Sequence, residues 1–317
     1  MRERNPAIEL WRVFCMLAIT VQHIGYNNGV FGREFFQWHV PGFLIISGFF
    51  GVRFTPVKVL KLVGVAYGCY WLTIWFRGWH GVGPLLVPHG GWFLPFYLVL
   101  MLLSPLLNAA MRHERGNLIF VSTVFLLVCG WLVNGFATTN VHIGMMLVPG
   151  MGGNGFLMLI GIYVVSASLV LNRLWDNRKW LPLWFGGFLI CVVISGFLRG
   201  DFMSYGNPLA IFAAYCGFRA FKLMPISGRL GRFICLISPS MFSVYLLQEC
   251  CVRHWQIMPN TFGALGILGV LTWAIVVFIG CILIDAIRRT IAYAFLRVAG
   301  NHLHEIDKKW MRWMGEQ

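Results

Sequence analysis

Within the first apolar stretch of the chain an arginine and a histidine, Arg12 and His23, stand eleven residues apart. In a helix that separation is about 16.5 Å of rise and three turns plus only about 20°, so both side chains share one face. An ionisable group inside an apolar span costs about 2.5–3.5 kcal/mol on insertion scales, so each needs a partner or a role. Glu9, three residues before Arg12, is spaced to pair with it. On one reading Arg12 snorkels to headgroups and His23 sits at an interface. On the other, the face lines a wet path, with Arg12 near an anionic group and His23 as a base. Imidazole suits that second role because its pKa lies near operating pH.

Other polar residues are fewer. Glu249, beside Gln248, follows the apolar run Val244 to Leu247 and either orients a histidine or a substrate hydroxyl or faces water. His39, before Pro41 and Gly42, is a weaker candidate expected on the same side as His23, whereas His80, His89 and His142 fall in loops and need no role. Asp285 beside Arg288 and Arg289 reads as an ion pair at the membrane surface. The stretch Gly150 to Gly155 lacks the Lys-Ser/Thr of a phosphate loop and reads as a hinge. Gly64 with Gly68, and Ser47 with Gly51, are small residues one turn apart, expected to let helices approach closely. The nine cysteines show no metal-type spacing and lie mostly in apolar runs, where packing explains them; Cys250 and Cys251, nearer a helix end, are the exceptions.

The elements that must carry these residues follow from composition. The chain is 58% hydrophobic and 11% charged, against roughly 25% charged in soluble domains. Apolar runs near the bilayer-crossing length recur throughout. They predict an all-α, polytopic membrane protein of about ten helices, near 7–25, 36–52, 59–76, 92–110, 118–135, 155–171, 181–198, 206–221, 233–252 and 265–287. Connections are short and many carry Gly or Pro, so one membrane domain is expected over 1–290. A tail over 291–317 mixes Trp310 and Trp313 with basic residues and reads either as an amphipathic segment on the inner leaflet or as a frayed end. The first run follows Arg2 and Arg4 like a secretory signal, but it contains Arg12 and no cleavage site, so it reads as a retained helix.

A net charge of +14 would point to nucleic acid in a soluble protein. Here position matters more than the sum. With the N-terminus inside, twenty of the 25 Lys and Arg fall on inner segments and four on outer ones, with Arg12 inside the first helix. That asymmetry places both termini in the cytoplasm and makes the bilayer, rather than nucleic acid, the partner.

The segment Ile8-Glu-Leu-Trp-Arg12 followed by His23 resembles the opening of the membrane-bound acyltransferase-3 family. Further likeness lies in Val40-Pro-Gly-Phe-Leu-Ile-Ile-Ser-Gly-Phe49, in Trp92-Phe-Leu with Tyr97-Leu-Val-Leu and Ser104-Pro-Leu-Leu-Asn108, in Leu159-Ile-Gly-Ile-Tyr163, and in Ser243-Val-Tyr-Leu-Leu-Gln-Glu249. The motifs cover most of the chain in the family's order.

The resemblance implies transfer of an acyl group, commonly acetyl, from cytoplasmic acyl-CoA to a hydroxyl of an exported or cell-surface saccharide or glycolipid. It implies a bacterial-type cytoplasmic membrane and no metal. His23 matches the family histidine and Arg12 the helix-one arginine, with Glu249 a third catalytic candidate. Lys58 and Lys61 match a basic pair that is usually two arginines; with Arg12 they would meet the donor's phosphates, as point charges rather than bidentate forks. Glu9, Ser47, Trp92 and Tyr97 are the substrate-binding candidates. A second family histidine is replaced by Gln248. A secondary transporter or glycan exporter is the main rival, but no inverted repeat of the Arg12-to-His23 pattern is present. A non-catalytic scaffold would leave the charges of the first helix unexplained.

Overall fold

The computed structural model describes residues 4–30, 34–77, 93–113, 115–136, 156–171, 176–197, 205–254 and 266–313. Among these every regular element is helical. The helices are α1 (Pro6–Asn27), α2 (His39–Phe50), α3 (Pro56–Arg77), α4 (Phe93–Arg112), α5 (Gly116–Phe136), α6 (Phe156–Leu171), α7 (Leu181–Gly196), α8 (Pro208–Lys222), α9 (Gly228–Ile237), α10 (Met241–His254) and α11 (Gly266–Trp313). Five stretches are long and apolar enough to cross a bilayer: Pro6–Tyr26, Phe93–Arg112, Arg178–Gly196, Gly228–Gln248 and Gly266–Tyr293. Among the described residues His39–Phe50 of α2, Gly116–Cys129 within α5 and Met158–Val170 within α6 are further apolar stretches. The full-length spans among the described residues are thus fewer than the ten expected.

The centre of the bundle is α1. Asn5 caps it, accepting from the Ala7 amide at 3.0 Å, and Pro6 opens the first turn, where a missing N–H costs nothing. Helices α2, α8, α9, α10 and α11 all pack on it. One side of α1 buries Trp11 completely, with Trp38 stacked on it at 5.3 Å and Phe188 edge-on at 5.9 Å. The other side presents Met16, Ile19 and Ile24 to Val244 and Leu247 of α10 and Val270 and Ala274 of α11. Because five neighbours surround α1, polar groups on it meet protein rather than lipid.

Close approach falls at glycines other than those expected. A Cβ on Gly48 would lie 2.7 Å from the Ala167 backbone, so α2 and α6 touch main chain to main chain there. A Cβ on Gly217 would lie 2.4 Å from the Trp11 ring. Gly64 has nothing within 4 Å, and Gly51 caps α2 with a positive φ of 71°. Spacing of small residues therefore pointed to a general device but not to the positions that use it.

Three differences from the expected elements matter. The ninth predicted helix is broken: Pro239 lacks the N–H needed to continue α9, and a 3-10 turn at Ser238–Ser240 separates it from α10. The tenth does not end near 287 but runs unbroken for 48 residues to Trp313. Arg219, one of the twenty basic residues assigned to inner segments, is not at a surface but 1% exposed on α8. It donates to Asp176 at 2.6 Å and lies over the Trp184 and Tyr215 rings.

Candidate active site

At one end of α1, Arg12 Nη1 donates to Glu9 Oε2 at 2.7 Å, the pair that the spacing predicts. The Glu9 side chain is 4% exposed and that of Arg12 25%, so the carboxylate is enclosed while the guanidinium keeps an open side. Tyr97 of α4 hydrogen-bonds Ser47 of α2 and lies within electrostatic reach of Arg12. Nearby, the Tyr163 hydroxyl donates to Asn108 Oδ1 at 3.0 Å, and Asn108 Nδ2 donates to the Val52 carbonyl at 3.0 Å. The turn after α2 is thereby tied to α4 and α6. Three of the resemblance motifs meet there.

At the other end, His23 Nδ1 stands 3.1 Å from Gln248 Nε2 of α10. As placed, the amide donates to the ring; turned by 180° it would accept from Nδ1–H, and a glutamine side chain serves either way. Helices α1 and α9–α10 run side by side in one direction, Gly231 near Pro6 and Gln248 near His23. The preceding residue, Gln22, projects about 100° round the helix, toward α2. There its Oε1 meets His39 Nε2 in a short contact, with both side chains buried. His39 also lies 5.6 Å from the Tyr205 ring and within electrostatic reach of His23. Two amide–imidazole pairs thus lie at one end of the bundle, each joining α1 to a different helix.

Lys58 and Lys61 are exposed on the first turns of α3. The N-terminus of that helix is held by Thr55 Oγ1, which accepts from the Lys58 amide at 3.3 Å, and by Asp307 Oδ1 of α11, which accepts from the Val57 amide at 3.2 Å. Trp310, one turn beyond Asp307, packs against Phe54 at 5.2 Å. Glu249 is in α10, but its side chain lies outside the described residues, as does the whole of Trp92. So do His80, His89, His142 and the stretch Gly150 to Gly155. Asp285 pairs with Arg288 at 2.7 Å and Arg289 at 3.1 Å, as its neighbours implied, yet it is fully buried, and Arg288 reaches Ser243 of α10 at 3.5 Å.

Sequence reasoning weighed single ionisable groups and so passed over Gln22, Asn108 and Asp307 as partners. An amide inside an apolar helix also has to be satisfied, and that signal was present at Gln22 and Gln248. Asp307 carried no comparable signal, because its partner is a backbone amide 250 residues away.

Long apolar helices around a central helix that carries paired ionisable groups define a multi-pass membrane protein with a polar interior. Residues 5–289 match a family model described as an acyltransferase domain. The chain belongs to this acyltransferase-3 family and is a membrane acyltransferase. No curated protein and no solved structure matches it. The family match closes at residue 289, so the last stretch of α11 lies beyond it.

Proposed function

We propose that this protein moves an acyl group, acetyl foremost, from cytoplasmic acyl-CoA to a hydroxyl of an exported or cell-surface saccharide, with both termini in the cytoplasm of a bacterial-type cell. The observation that carries the reading is the placement of His23. It stands on the central helix, half-buried, with Nδ1 bonded to the buried amide of Gln248, which fixes the orientation of the ring. Arg12 stands about 16.5 Å along the same helix, a separation suited to a donor bound by its charged end and reacting at the far end of an extended arm.

In the direct route His23 Nε2 takes the proton of the acceptor hydroxyl as its oxygen attacks the thioester carbonyl. The carbon–sulfur bond breaks, and the thiolate leaves and recovers the proton from the imidazolium. In the relay route the imidazole nitrogen attacks the thioester carbonyl, the carbon–sulfur bond breaks and the thiolate leaves; the hydroxyl then attacks the acyl-imidazolium, the carbon–nitrogen bond breaks, and the hydroxyl proton passes to the thiolate. For the donor's phosphates, Arg12, Lys58 and Lys61 are the cations this reading assigns. Glu9 occupies one edge of the guanidinium, so Arg12 would offer its remaining donors.

The decisive experiment uses protein reconstituted in vesicles with radiolabelled acetyl-CoA, together with mass spectrometry of surface saccharide from cells. His23→Ala is expected to remove acyl transfer while the protein still inserts and purifies as a folded species. Undiminished acetylation in that variant overturns the role of His23. Arg12→Ala is expected to raise the donor KM more than the acceptor KM, and the opposite pattern would reverse the sidedness.

A further inference from the structure

The connection from α2 to α3 is held from two sides. On one, Val52 is bracketed by α4 and α6: its carbonyl accepts from Asn108 Nδ2 at 3.0 Å and its amide donates to the Tyr163 hydroxyl at 3.4 Å. On the other, the end of α11 covers the start of α3, with Trp310 against Phe54 at 5.2 Å and Asp307 Oδ1 accepting from the Val57 amide at 3.2 Å. A helix leaves the amides of its first turn without partners inside it. In α3 Pro56 has no N–H and Thr55 Oγ1 accepts that of Lys58, which leaves the amide of Val57, a residue 6% exposed, to Asp307. Lys58 and Lys61, the cations assigned to the donor's phosphates, follow at once: Lys58 lies in this capped turn and Lys61 one turn further on. Lysine is a point charge on a flexible stem, so how well it meets a phosphate depends on how firmly its backbone is held. A first turn that loses its cap frays and takes Lys58 with it, whereas Lys61 is carried by the body of the helix. The Asp307 carboxylate alone would repel an anionic donor. Exposed Lys308, Lys309 and Arg312 outnumber Glu305 and Asp307 on the same stretch, so the stretch as a whole brings positive charge to this end.

We propose that Asp307 and Trp310 are positioning residues for the donor: by fastening the first turn of α3, the end of α11 holds Lys58 where it meets the phosphates of acyl-CoA. Neither residue touches the donor; both act through Lys58. The inference rests on the reading of Lys58 as a donor-binding residue and names what keeps it in place. It gives a role to a stretch of α11 that the family match, ending at residue 289, does not include.

The test measures binding of labelled acetyl-CoA to the full-length protein in nanodiscs, where both faces are open to solution. Lys58→Ala is expected to weaken binding about tenfold, the size of one hydrogen bond to a charged group. Asp307→Ala and Trp310→Ala are each expected to weaken it by up to that amount and no more. Asp307→Asn, which keeps an oxygen as a weaker acceptor, is expected to fall between Asp307→Ala and wild type. Double variants supply the readout that a general loosening of the fold would not give: Asp307→Ala should add nothing to Lys58→Ala, yet add in full to Lys61→Ala. Trp310→Ala carries the same cycle should Asp307→Ala not purify as a folded protein. Additivity with Lys58→Ala overturns the inference. So does unchanged binding in Asp307→Ala and Trp310→Ala while Lys58→Ala weakens it; both results leave the donor reading standing. Tighter binding in Asp307→Ala and Asp307→Asn overturns it too, because the carboxylate then opposes the donor. If Lys58→Ala binds as wild type does, the donor role of Lys58 falls and the inference with it.

Discussion

Removing Arg12 while leaving Glu9 in place strands a carboxylate that is almost wholly enclosed. Breaking a buried pair from one side costs several kcal/mol, and the open side of the guanidinium puts this one at the low end, about 3 kcal/mol. Arg12→Ala should therefore lower the thermal unfolding midpoint in detergent more than the double change with Glu9→Gln, which neutralises the stranded group. Equal midpoints for the two would mean that Glu9 finds another partner. Activity and stability must be read separately at this position, because a dead Arg12→Ala protein is otherwise ambiguous between lost donor binding and lost fold. The Arg12–Glu9 pair was legible from spacing alone, since helical periodicity is a strong local rule. The amides were not, because their partners lie on other helices and pairing between helices is not written in local spacing.

Between elements, the informative contacts are those that no substitution can soften. At Gly48 an added methyl meets main chain, so Gly48→Ala should force α2 from α6 and cost about 2 kcal/mol or more. Gly64→Ala, which meets nothing within 4 Å, should be neutral or gain up to about 1 kcal/mol from helix propensity. Thermal midpoints of the two purified variants check both statements, and a Gly48→Ala protein as stable as wild type would show that the helices separate freely. The docking of α11 on the start of α3 yields a more local expectation. Asp307→Asn weakens the acceptor for the Val57 amide, and Trp310→Ala removes the ring against Phe54. Either should speed hydrogen exchange at residues 52–58 while leaving α1 protected, as measured by mass spectrometry of peptic fragments. Helix existence was legible because apolar runs are long. The break at Pro239 and the continuation past residue 287 were not, because one depends on a single ring and the other ends on contacts of Asp307 and Trp310 with Val57 and Phe54, some 250 residues earlier in the chain.

Across the whole molecule, the distribution of basic residues makes a claim that the fold can be asked to honour. Reporter fusions at each terminus should both report the cytoplasmic compartment, and labelling of cysteines introduced beside Arg77 and Arg199 should require no permeabilised membrane. A terminus found outside would invert every assignment of donor and acceptor to a side. The relative directions of the helices already fit such an alternation: α1 runs parallel to α9–α10 and antiparallel to α2, as His39 against Gln22 and Gly42 against Cys15 require. Composition announced a membrane protein at once, because a chain 58% hydrophobic and 11% charged has more apolar surface than a soluble core absorbs.

The long last helix also works as a ruler. From residue 289, where the family match ends, to Asp307 the chain is continuous helix. Each residue added or removed in that interval turns the docking face by about 100° and shifts it by about 1.5 Å. A four-residue insertion brings the rotation back to within about 40° but carries Asp307 about 6 Å past the Val57 amide. No whole number of residues restores both phase and distance. The interval is therefore fixed in length for as long as the contact with α3 is kept.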